Sequence, residues 1–64
     1  MTKVRVVGNY AGFTVKEDKH EIADLINGGR IMIPLSIYVV SGMGEQLDNT
    51  YFAYVNSANI IKVE

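Results

Sequence analysis

The residues best placed to do chemistry lie between Glu17 and Asp24. Glu17 and His20 stand three apart, with Glu21 and Asp24 close behind, a spacing that places carboxylate and imidazole ligands on one face of a helix. Such metal sites need a second helix to bring matching ligands, and this chain has the pattern for only one helix. These residues therefore read as a solvated acidic face at a helix start, where the exposed N–H groups and the macrodipole favour negative charge. His20 with Asp24 could orient a nucleophile such as Ser36 or Ser41, but neither serine sits in a nucleophile motif. No catalytic, cofactor-binding or metal-ligating residues are expected. The chain has one histidine and no cysteine, which rules out thiolate zinc sites and disulfides.

Binding offers more candidates. Gly28-Gly29-Arg30 follows the helical pattern and so lies at the negative end of the dipole, which disfavours a phosphate cradle. Arg30 alone can still grip a carboxylate or phosphate in two places. Met43 stands between two glycines, and a flexible, polarisable side chain suits an adaptable binding surface. Of the four tyrosines, Tyr10, Tyr38, Tyr51 and Tyr54, Tyr38 and Tyr54 are out of phase with the more apolar face of their strands. Tyrosine at a surface combines apolar area with a polar tip, as interfaces require. The candidate binding residues are thus Arg30, Tyr38, Met43 and Tyr54.

The elements that must position them follow from periodicity. Lys3 to Val7 alternates charged and apolar residues, as does Gly12 to Lys16, with Gly8, Asn9 and Tyr10 between. This predicts an N-terminal hairpin with a loop of about four residues. From Glu17 to Asn27 the period changes: Ile22, Leu25 and Ile26 fall on one helical stripe, and Gly28-Gly29 ends it. Arg30 to Val40 places Ile31, Ile33, Leu35, Ile37 and Val39 on one wholly apolar face. Pro34 cannot donate to a ladder, so it implies an edge or a bulge there. Ser41 to Thr50 reads as a loop, Tyr51 to Val55 as a strand, Asn56 to Asn59 as a turn or single 3₁₀ turn, and Ile60 to Val63 as a last strand. The order is ββαβββ: an α+β, β-rich domain spanning residues 1–64, a small twisted antiparallel sheet or half-open barrel with one short amphipathic helix.

Size then bears on function. A chain of 64 residues buries only about 60% of the surface its unfolded form exposes, and without crosslinks its usual supplement is association with other chains. An apolar strand containing Pro34 at an edge would invite such pairing. Six Lys and Arg against seven Asp and Glu give no basic excess for counterion release, so nucleic acid is disfavoured as a partner. No run is long enough to cross a bilayer, and no secretory leader is expected. The lack of cysteine fits a reducing cytoplasm.

The tail Tyr54-Val55-Asn56-Ser57-Ala58-Asn59-Ile60-Ile61-Lys62-Val63-Glu64 resembles the ending of short accessory proteins of phages and mobile elements. The resemblance implies a regulatory protein that acts by binding, as a stoichiometric modulator, an inhibitor or a sequestering protein. The expectation is a non-enzymatic interaction module that forms a homo-oligomer and binds another protein. The alternative is a small-ligand or nucleotide-binding protein with a pocket at a subunit boundary, lined by Tyr38, Tyr54, Arg30 and the Gly42 to Gly44 loop.

Overall fold

The computed structural model describes residues 2–64; Met1 and the side chains of Tyr10, Gln46 and Leu47 lie outside the description. Five strands and one helix run in the order β1 (Thr2–Val6), β2 (Asn9–Val15), α1 (Lys19–Asn27), β3 (Met32–Val40), β4 (Gln46–Asn56), a 3₁₀ turn (Ser57–Asn59) and β5 (Ile60–Val63). They form one open sheet in the order β4-β3-β2-β1-β5, and every neighbouring pair is antiparallel. The ββαβββ order is as read from the sequence, and the sheet is not closed.

The strands' alternation sets the core. Val4, Val15, Ile33, Leu35 and Ile37 are buried on one face of the sheet, and Ile22 of α1 completes the cluster. Leu25 and Ile26, on the same helical stripe, pack against it with Ala53, Val55, Ile60 and Val63. The helix ends as its glycines dictate. Gly29 takes φ +82°, while its N–H bonds to Ile26 O and that of Arg30 to Leu25 O, the paired bonds of a Schellman ending. Ile31 falls just after this ending and before β3, so it leaves the apolar face to which alternation assigns it and is 67% exposed.

Two expectations about loops are corrected. The first hairpin turns on Val7 and Gly8 alone, with β2 already begun at Asn9. The stretch Ser41 to Thr50 is not one loop: β4 starts at Gln46, leaving a turn of residues 41–45. That turn is closed by its own serine. Ser41 N–H donates to Glu45 O, Gly44 N–H to Ser41 O, and Ser41 Oγ accepts from the N–H groups of Met43 and Glu45. Asp48, Asn49 and Thr50 mimic loop composition because β4 is an edge strand and these residues are exposed on it.

The β3–β4 ribbon is the longest feature. Its register runs from Met32↔Asn56 to Tyr38↔Thr50 without interruption. Nine residues of β3 span about 30 Å, most of the molecule's 36 Å long axis.

By contrast, among the described residues β2 and β3 share a single bridge, Val15↔Ile37, and the cause lies on the far side of β2. Between Val4↔Phe13 and Val6↔Asn9 the β1–β2 register shifts through a bulge at Gly12, φ +72°. A Cβ there would lie 2.8 Å from the Val4 carbonyl oxygen. Only glycine fits so close and so left-handed a position, and the bend it makes turns the first half of β2 away from β3.

Candidate functional site: the β4 edge and the β2–β3 cleft

The backbone of β3 fixes which way that of β4 faces. Lys16 N–H donates to Ser36 O at 2.9 Å, and Ser36 N–H donates to Glu17 Oε1 at 2.7 Å, so both polar groups of Ser36 point away from β4. Because an antiparallel ladder alternates, Ile33, Leu35 and Ile37 are the residues that bond across to Val55, Ala53 and Tyr51. The N–H and C=O groups of Thr50, Phe52, Tyr54 and Asn56 then point outward from the sheet. β4 is the terminal strand, so no described strand meets them.

The edge expected at Pro34 is local and does not extend to the whole strand. β3 is an interior strand, with β4 on one side and β2 on the other. Pro34 shares the direction of Ser36, so its missing N–H falls on the side where the β2 ladder has already ended. Glu17 covers the neighbouring position. It is no part of the helix, which begins at Lys19; it is half-buried, and its carboxylate replaces a strand carbonyl for the Ser36 N–H. Sequence reading assigned Glu17 to the acidic helix face, and no local signal reveals a contact with a residue nineteen positions away.

The open run of β4 is uncharged from Thr50 to Asn56, and aromatic or aliphatic from Tyr51 to Val55. Phe52 and Tyr54 are 61% and 57% exposed on the face away from the core. Their rings meet edge to face, with centroids 5.1 Å apart. Met32 adds exposed area on the same face, while Tyr51 is exposed on the opposite one. Natural edge strands carry lysine, proline or bulges that discourage pairing, and this run has none of the three. A register shift does occur earlier in β4, between the positions paired with Tyr38 and Val40. The usable edge is therefore the seven residues from Thr50 to Asn56.

The opposite edge is built otherwise. β5 has four residues and a register shift against β1. Its end carries an ionic cluster in which Glu64 Oε1 lies 3.1 Å from Lys62 Nζ and Oε2 lies 3.4 Å from Arg5 Nε. The hydrogen bond from Lys62, and then the charge of Arg5, hold the Glu64 carboxyl below its ordinary range.

Where β2 bends away, a cleft of about 610 Å³ opens against β3. Phe13, Ile37, Val39 and Tyr51 supply apolar wall, and Lys3 and Tyr38 are polar groups at its margin.

The four residues singled out from the sequence are scattered. Tyr54 lies on the open run, exposed as expected. Tyr38 is half-buried beside the cleft, four ladder steps from the position opposite Tyr54, or about 13 Å along the strand. Arg30 sits in the turn before β3, its Nε donating to the Met32 carbonyl. Met43, 85% exposed, occupies the turn at the other end of the ribbon. One chain therefore does not gather Arg30, Tyr38, Met43 and Tyr54 into one pocket. Phe52 is the exposed residue the sequence reading passed over; its stagger with Tyr54 was the available signal. His20 and Asp24 are exposed on α1, Ser36 lies in β3, and Ser41 is engaged in its own turn. No group of three or more His, Cys, Asp or Glu able to hold a metal ion occurs among the described residues, and no helix is long and apolar enough to cross a membrane. The chain matches no protein-family model, no curated protein and no solved structure.

Proposed function

We propose that this protein is a non-enzymatic interaction module that associates with itself and acts by binding a protein partner as a modulator or inhibitor. The observation that supports this reading is the open run of β4. Along its seven residues, Thr50, Phe52, Tyr54 and Asn56 turn their backbone groups outward beside two exposed aromatic rings, with no charge or proline to deter pairing. An extended segment that adds to such an edge gains main-chain hydrogen bonds, and aromatic side chains beside it supply specificity. A regulatory role as an accessory protein of a phage or mobile element, as the resemblance of the C-terminal tail implies, in the cytoplasm that the lack of cysteine suits, fits a small domain that works by contact alone. Multi-angle light scattering over a range of concentrations tests the self-association. The expected result is a mass that rises with concentration, and a constant monomer mass would count against it.

The cleft beside β2 supports a second reading, a small-ligand or nucleotide-sequestering protein. Its volume lies in the range of ligand sites, and Tyr38, Tyr51 and Lys3 offer stacking and a positive charge. A ligand that binds the folded state raises the melting temperature by mass action. A panel of mononucleotides and cyclic nucleotides at millimolar concentration that leaves the melting temperature unmoved would remove this reading.

A further inference from the structure

We infer that the first partner of β4 is the β4 of a second copy, paired antiparallel about a twofold axis at Ala53 so that two five-stranded sheets become one of ten strands. This rests on the proposed self-association and specifies its geometry.

The choice of a second copy rests on the two edges being unlike. A strand edge can pair with the same edge of another copy or with the opposite edge. If β4 paired with β5, each dimer would keep one of each edge, and assembly would continue into an open filament. Here β5 is short, shifted in register and flanked by the Arg5, Lys62 and Glu64 charges, whereas the β4 run is long, regular and uncharged. Pairing β4 with β4 consumes both unguarded edges and leaves only guarded ones outside. It also brings no like charges together, because Thr50 to Asn56 contains no charged residue.

The register follows from the ends of the run. The irregularity before Thr50 and the 3₁₀ turn after Asn56, where the Asn56 side chain accepts from Ala58 N–H at 2.9 Å, limit pairing to these seven residues. An antiparallel arrangement that uses all of them places Thr50 opposite Asn56 of the second copy and Ala53 opposite itself. Phe52 then lies opposite the second copy's Tyr54, and Tyr54 opposite its Phe52. Four rings line up on one face of the joined sheet, cross-strand aromatic pairs being among the favourable ones. The outward-facing residues 50, 52, 54 and 56 pair only with one another, giving about eight backbone hydrogen bonds across the junction.

The area sets the strength. Phe52, Tyr54 and Met32, which share the face away from the core at 61, 57 and 42% exposure, carry on the order of 300 Å². A standard interface takes about 800 Å² per partner, roughly a fifth of this molecule's 4398 Å² surface. The exposed patch is well under that figure, so the dimer is expected to be weak and dependent on concentration.

The chain's lack of cysteine makes single nitroxide labels simple to place. Thr50→Cys and Lys62→Cys, each labelled, are measured by double electron–electron resonance beside light scattering of the unlabelled protein and of Phe52→Lys. Six residues of offset put the two Thr50 positions about 20 Å apart, and the Lys62 positions, on the outer edges, are the more distant pair. Phe52→Lys keeps the monomer's circular dichroism and weakens dimerisation by about tenfold or more. A dimer whose Lys62 labels are the nearer pair, or whose Thr50 labels lie far from 20 Å, overturns this geometry while leaving self-association standing. A monomer up to about 1 mM, where even a weak complex would form, overturns both.

Discussion

Replacing Glu17 by alanine removes the one group that serves the Ser36 N–H on the side of β3 that β2 does not reach. The bond is 2.7 Å long and its acceptor is a carboxylate. Hydrogen bonds to charged groups contribute about 1.5–3 kcal/mol net. Both residues are half-buried, so water can partly replace the lost acceptor, and the low end of that range, about 1.5 kcal/mol, is expected. For a domain of this size each kcal/mol moves the melting temperature by about 4–8 °C, so Glu17→Ala should melt roughly 6–12 °C lower. Glu17→Gln retains a carbonyl oxygen able to accept the same N–H but not the charge, and should cost about half as much. The assay is urea unfolding followed by far-UV circular dichroism, with the slope of the transition unchanged. Wild-type stability in Glu17→Ala to within about 0.3 kcal/mol, well below the net worth of a hydrogen bond, would refute the clasp. A glutamine variant as damaged as the alanine one would show that charge, and not the acceptor, is what matters.

The other expectations concern the bulge and the ionic cluster. Gly12→Ala must place a Cβ 2.8 Å from the Val4 carbonyl at φ +72°, and backbone strain of that kind costs about 1–3 kcal/mol. Equilibrium unfolding should therefore show a loss of at least 1 kcal/mol, and an alanine variant as stable as wild type would contradict the bulge. The lowered Glu64 pKa fixes the sign of a pH effect. A carboxyl depressed in the folded state contributes stability above its unfolded pKa, and the contribution is lost as pH falls through the folded value. Glu64→Gln and wild type should accordingly differ slightly near neutrality and converge in acid, below the ordinary carboxylate range. In a carboxyl NMR titration, Lys62→Ala and Arg5→Ala should each raise the Glu64 midpoint, because each removes a hydrogen bond and a positive charge that lower it.

Local pattern carried much of the fold. The stripe of Ile22, Leu25 and Ile26 reaches the core, the glycine pair ends the helix, and Ile60 to Val63 is a strand with the limits its sequence suggests. Composition misled in one place. Asp48, Asn49 and Thr50 are strand residues, because a half-exposed edge tolerates the same polar side chains as a loop. The candidate site was less legible. Tyr54 stood out by its phase, but the open edge beside it depends on backbone groups that every residue carries alike, and the sequence placed the edge on the strand of Pro34 instead.

What the amino-acid order determined by itself is which side chains turn inward: alternation in strands and the three-four spacing in the helix are local properties of the chain. What only the tertiary structure decided is who stands beside whom. The sheet order β4-β3-β2-β1-β5 makes β3 interior, leaves β4 open and brings Glu17 to Ser36. These neighbours are chosen by long-range packing on a shared core and by a bend at one glycine, and periodicity names the face a strand buries without naming the strand next to it.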